Sequence, residues 1–169
     1  MSDTDRSVGQ AFVSECNKTL DACLRKIEHC FAQLSDDDIW WRPFPEANAI
    51  GNVILHLCGN VGQWIVSGVG GARDVRDRPA EFAARGSVAK AELLKRLSQT
   101  VGDAKAAISR ADAENLLRIR HVQHEDVTGL GAAFHSVSHF EGHTHQIVYI
   151  TRLRLGPKYK FQGLTATSD

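Results

Sequence analysis

The sequence predicts an all-α fold, a four-helix bundle with a long crossover between its second and third helices. Apolar residues recur at three- and four-residue steps over four stretches, approximately 5–34, 48–68, 87–110 and 127–155. The breaks between them are rich in proline, glycine and charged residues. A chain of 169 residues buries one sizeable core, so 1–169 is expected to form a single domain.

The first stretch aligns Phe12, Cys16, Leu20, Cys23, Ile27, Cys30, Phe31 and Leu34 on one face. Ser35-Asp36-Asp37-Asp38 and Trp40-Trp41-Arg42-Pro43-Phe44-Pro45 follow, and the acidic cluster and two prolines predict a non-helical linker. The second helix is expected to start with Asn48 as its cap and to carry Ile50, Val53, Ile54, Leu57, Val61, Trp64 and Ile65. It stops at Gly68, Gly70 and Gly71. Arg73 to Gly86 alternates charges around Pro79 and predicts the crossover loop. Ser87 is placed to cap the third helix, which turns Val88, Ala91, Leu94, Val101, Ala104 and Ile108 inward. Alternation over Leu116 to Gln123 predicts a short extended piece, and Asp126 a cap for the fourth helix, which Gly156-Pro157 ends.

Composition narrows the function classes. Lys plus Arg and Asp plus Glu both total 20, so no net field draws the chain to nucleic acid or anionic lipid. Met1-Ser2-Asp3-Thr4-Asp5 is polar and acidic, unlike a signal or transit peptide. No apolar run approaches the ~20 residues that span a bilayer. Cys16, Cys23, Cys30 and Cys58 show no CxxC spacing, and the first three share a helix face. They are expected to be buried free thiols of a cytoplasmic protein.

Of eight histidines, His139 and His143 stand four apart within the fourth helix. At about 100° per residue they sit roughly 40° apart and one turn up, so both rings can reach a common point, as in helical His-x-x-x-His metal sites. Taken alone, the pair is a weak signal. Ala132, His135, His139, His143, Gln146, Ile150 and Leu153 form one stripe expected to pack inward, where an unpartnered imidazole would cost about 1–3 kcal/mol. A shared cation would remove that cost. His56, flanked by Asn52 and Asn60 with Gln63 beyond, offers a third ligand, the alternative being a core histidine hydrogen-bonded to asparagine. Three neutral imidazoles would leave positions open for water or substrate, as in a catalytic rather than a structural site.

Asn48-Ala-Ile-Gly-Asn-Val-Ile-Leu-His56-Leu-Cys-Gly-Asn60, followed by Gln63-Trp64, resembles the second helix of the DinB-like (YfiT-like) metalloprotein superfamily. Asp-Ile-Trp-Trp-Arg-Pro before it, Arg76-Asp77-Arg78-Pro79-Ala-Glu81-Phe82 after it, and His139-Phe-Glu-Gly-His143-Thr-His-Gln146-Ile147 near the end are similar to its further motifs. His145 departs from the pattern, standing where relatives often have glycine. The resemblance implies a divalent metal on His56, His139 and His143. Characterised relatives include thiol-dependent transferases and a mycothiol-dependent isomerase, so it leaves the reaction open.

Asn60 and Gln146 are candidates to orient the ligating imidazoles. His135 is a candidate fourth ligand, proton shuttle or packed neighbour. Arg73, Arg76 and Arg78 suit an anionic thiol cosubstrate or a carboxylate, or a solvated loop paired with Asp74 and Asp77. Trp40 and Trp41 suit a cleft wall or a hydrophobic plug, and Cys58 points away from His56. His29, His121 and His124 are expected at the surface. Phe134, Val137 and Val148, beside Glu141 on the far face of the fourth helix, predict a homodimer.

Two activities and one alternative follow. A metal-dependent enzyme would transfer a low-molecular-weight thiol onto an electrophilic small molecule, or hydrolyse a substrate with metal-bound water and His135 as base. A non-catalytic metal-binding stress-response protein is the third reading. Zn, Ni, Fe and Mn all suit three imidazoles with open positions.

Overall fold

The computed structural model describes residues 3–161. Met1 and Ser2 of the polar N-terminal run, and 162–169 of the expected domain, lie outside the described residues. The chain is mostly helical with one small two-stranded sheet. Helix α1 spans Asp3–Gln33. Helix α3 spans Ile50–Val61 and runs on into a π-helical segment, Gly62–Ser67. Helices α5 (Lys90–Arg110) and α7 (Gly129–Leu155) complete the long elements. Packing runs in a closed ring, with α1 against α5 and α7, and α3 against the same two. Leu20, Ile27 and Phe31 of α1 meet Leu57 and Ile65 from the second segment, Leu97 of α5 and Phe140 and Ile147 of α7, all at most 2% exposed. The helices form because their apolar stripes can be buried together in this way. No helix among the described residues is long and apolar enough to cross a membrane.

The short elements depart from the sequence expectations. The acidic cluster after α1 starts a helix, α2 (Asp36–Trp40), because Ser35 Oγ accepts from the Asp38 amide and Asp38 accepts from the Ser35 amide, a reciprocal capping box. The cap of α3 is Ala49, not Asn48, and its free amide is bonded by Asn52 Oδ1 at 3.2 Å. Ser87 does not cap α5, since Asp36 reaches across to accept from the Lys90 amide at 2.8 Å. Ala91 is exposed, and Leu93, Leu97 and Ala107 hold core positions instead. The expected crossover loop contains α4 (Arg78–Ala83), started by the Asp77 cap and by Pro79 in its first turn.

After α6 (Ala113–Leu117), the expected extended piece is β1 (Ile119–Val122), paired antiparallel with β2 (Glu125–Thr128). Asp126 lies in that second strand, so the cap of α7 is Thr128, accepting from the Gly131 amide at 3.0 Å. Gly156, at φ 54°, ends α7. The far face of α7 is only partly open. Phe134 is 64% exposed, but Val137 is buried and Val148 packs on the core. All four cysteines are free thiols, three buried on α1 and Cys58 half-buried.

A candidate metal centre between α3 and α7

Helix α3 presents His56, and α7 presents His139 and His143 one turn apart. One ring nitrogen from each lies within 4.8 Å of the others, so the three are able to hold a metal ion. The His139 and His143 ring centroids are 4.4 Å apart, and that of His56 lies 5.0 and 5.1 Å from them. The expected inward stripe is broken around this group. His135, Gln146 and Leu153 are exposed, while Ala132 and Ile150 are buried.

Outer hydrogen bonds set which nitrogens face inward. His56 Nδ1 lies 2.9 Å from Glu81 Oε2, and His143 Nδ1 lies 2.6 Å from Gln146 Oε1. Both oxygens accept, so both Nδ1 atoms carry a proton, and in the neutral rings both Nε2 atoms keep a free lone pair. His56 Nε2 then sits 3.2 Å from His139 Nε2, while the buried His139 Nδ1 has no partner. If His139 protonates Nε2, its Nδ1 is a buried acceptor without a donor; the other tautomer strands a buried N–H. Either way one polar atom is left unmatched, which costs about 1–3 kcal/mol. A cation accepting all three Nε2 lone pairs fits this donor set and relieves the contact between the two Nε2 atoms, while the proton then on His139 Nδ1 still lacks an acceptor.

The electrostatics favour the ligand form. Burial, then the neighbouring His143 and His56, push the His139 pKa down to about 4. Burial also lowers that of His143, against the opposing hydrogen bond to Gln146. Near neutral pH His139 and His143 are therefore uncharged.

Glu81 is the residue that sequence reasoning missed. It comes from α4 with 7% exposure, and its carboxylate accepts from His56 Nδ1 and from Arg76 Nε and Nη2 at 2.7 and 3.0 Å. Burial alone would raise its pKa, but the hydrogen bonds from His56 and Arg76 outweigh burial and hold it low. Arg76 Nη2 also lies 3.1 Å from His56 Nδ1; both atoms carry protons, and the carboxylate takes both. The Arg76 side chain is itself 4% exposed, so it is a buried partner rather than a solvated loop cation. Asn52 Nδ2 fixes the α4 backbone by donating to the carbonyls of Glu81 and Ala84 at 2.9 and 3.1 Å. The sequence signal was local: Asp77 followed two residues later by Pro79 marks a helix start inside the loop.

The remaining candidates separate. Gln146 bonds a ligating ring, whereas Asn60 accepts from Ser136 Oγ at 2.9 Å. His135 stacks on Trp64 with centroids 4.1 Å apart and stands 6.0 Å from the His139 ring. With His56, His139, Trp64, Arg78 and Gln123 it lines a cleft of about 560 Å³. Gln123 reaches this cleft from the hairpin turn at φ 58°, its amide 2.7 Å from that of Gln63. His121, His124 and His145 are exposed and outside the triad, and His29 is bonded to the Lys160 carbonyl. Trp40 donates to the Val88 carbonyl and packs on the core, away from the cleft. Burial pushes the Cys58 thiol up to about 11, so it is no ready nucleophile.

A model of the family described as "Protein of unknown function (DUF1572)" matches residues 7–167. No curated protein matches the chain. Among solved structures, the "conserved protein of locus from Enterococcus faecalis" is similar at 18% identity and a TM-score of 0.69, over 85% of this chain and 96% of that one. That likeness shows a shared fold.

Proposed function

This chain belongs to the DUF1572 family, whose description assigns no reaction, and on that premise we propose that it is a divalent-metal-dependent enzyme acting on a small molecule. The scaffold is read as a single DinB-like four-helix-bundle domain, with the segment between α3 and α5 as its crossover. The observation that carries the proposal is the convergence of three imidazole nitrogens within 4.8 Å, two of them oriented from behind by oxygen acceptors.

His56, His139 and His143 would hold the ion, one of Zn, Ni, Fe or Mn. A bound divalent ion would lower the pKa of a thiol or a water, supplying a nucleophile at neutral pH. His135, open to the cleft and stacked on Trp64, would take the proton released there. Thiol transfer to an electrophile is the preferred reaction, with the resemblance to thiol-dependent transferases in its favour. Hydrolysis is the second reading, favoured by the exposed imidazole of His135 beside the ligand ring. A cytoplasmic homodimer is proposed in the same terms, with the exposed Phe134, Tyr149 and Leu153 of α7 as its support.

Elemental analysis of the purified protein beside a His139→Ala variant tests the centre. The proposal expects near-stoichiometric metal in the first and little in the second, and equal content in both would defeat it. Turnover of thiol with electrophiles, set against ester and amide panels, then separates the two reactions. Metal-loaded protein inert in both is a binding protein.

A further inference from the structure

We infer that the cleft beside the three imidazoles is an anion subsite for a small carboxylate, anchored by Arg78; the inference rests on the metal reading above. The carrying observation is how the buried charges are matched. Every donor in the triad is an imidazole. The carboxylate bonded to the triad, Glu81, meets His56 at Nδ1, behind the converging nitrogens, and is already matched by two hydrogen bonds from Arg76. Glu81 and Arg76 cancel, so a dication on this ring keeps its excess positive charge. In a partly buried site that excess strongly favours an anion at the open positions.

Arg78 supplies the second half of the subsite. It is the first residue of α4, held by the Asp77 cap, and its guanidinium lies over the Phe82 ring at 5.3 Å. The same Phe82 ring stands 5.1 Å from His56, so the Arg78 guanidinium and the ligand ring adjoin one aromatic side chain. Arg76, Arg96, Arg118 and Arg154 each hold an ion pair, whereas Arg78 has no acidic partner among the described residues. Its planar donor fork therefore remains available for a carboxylate. Glu125 at the hairpin also lines the cleft and balances Arg78 in formal charge, which leaves the ion's charge to decide the sign. The exposed His135 ring, backed by buried Trp64, offers its surface to the body of the ligand, and about 560 Å³ accommodates one small molecule.

The test uses the full chain loaded with cobalt(II), titrated with benzoate and with its neutral isostere benzamide. Visible absorption is followed, and metal content is measured on the same samples. Benzoate should shift the spectrum saturably and bind at least about tenfold more tightly than benzamide, and metal-free protein should bind neither. Arg78→Met should keep its metal and weaken benzoate by about tenfold, the loss expected for a charge-assisted hydrogen bond. Metal-loaded protein that binds benzamide as well as benzoate, or an Arg78→Met variant with unchanged benzoate affinity, overturns this inference and leaves the metal centre standing. A chain that takes up no cobalt overturns both.

Discussion

Replacing Gly59 by alanine should reverse the usual sign of a helix substitution. In an unobstructed helix interior, glycine to alanine stabilises by about 0.5–1 kcal/mol. At Gly59, within α3, the added Cβ would collide with the Glu81 carboxylate and lie 2.9 Å from Arg76 Nε. Glu81 would have to leave, breaking its bonds to His56 and Arg76 and stranding a guanidinium that is 4% exposed. Removing one partner of a buried ion pair costs about 3–5 kcal/mol. Set against the helix gain, the net loss is about 2–4 kcal/mol, or roughly 5–15 °C in Tm for a chain of this size. Gly102 in α5 has nothing within 4 Å of its would-be Cβ, so Gly102→Ala is the matched control, expected to stabilise by about 0.5–1 kcal/mol. Thermal and urea unfolding of the metal-free proteins measures both. A Gly59→Ala protein as stable as the parent would refute the tight seating of Glu81.

Three further outcomes can be checked. Because His139 is held neutral down to about pH 4 but titrates near 6.5 when unfolded, the unfolded chain binds more protons between those values. Metal-free stability should therefore rise with pH from about 4 to 6.5, and less so in His139→Gln; equal slopes in urea titrations would count against a buried neutral ring. Asp38 is held near pKa 2 by Ser35, with help from Arg154, so its contribution is present above about pH 4 and lost as pH falls towards 2. Asp38→Asn should flatten acid unfolding across that window, and an unchanged acid profile would contradict it. Gly51→Ala would press a Cβ to 2.8 Å from the Trp40 ring, which is tied to the Val88 carbonyl, and overpacking of this kind should destabilise by about 1–3 kcal/mol by urea unfolding.

The long helices were legible because burial on one face leaves a 3.6-residue period, and α1, α3, α5 and α7 all carry it. The caps were less so. Asp36 serves α5 from 54 residues away, and no local pattern announces a partner supplied by tertiary packing. The hairpin escaped because β2, with sequence Glu125-Asp126-Val127-Thr128, is too short and polar to alternate. His56, His139 and His143 were legible through the four-residue step and their polar neighbours. Glu81 was not, since its role depends on α4 folding back over Gly59, a placement that spacing alone cannot specify. The Ser136 partner of Asn60 was equally illegible, since it comes from α7, 76 residues further along the chain.

X-ray absorption at the edge of whichever metal co-purifies reads the ligand shell of the ion itself. Three imidazole-nitrogen scatterers at about 2.0–2.1 Å, accompanied by light oxygen scatterers, are expected for a zinc-like ion. Sulfur in place of the three imidazoles, a shell without imidazole scattering, or protein purified with no metal would contradict a centre built on His56, His139 and His143.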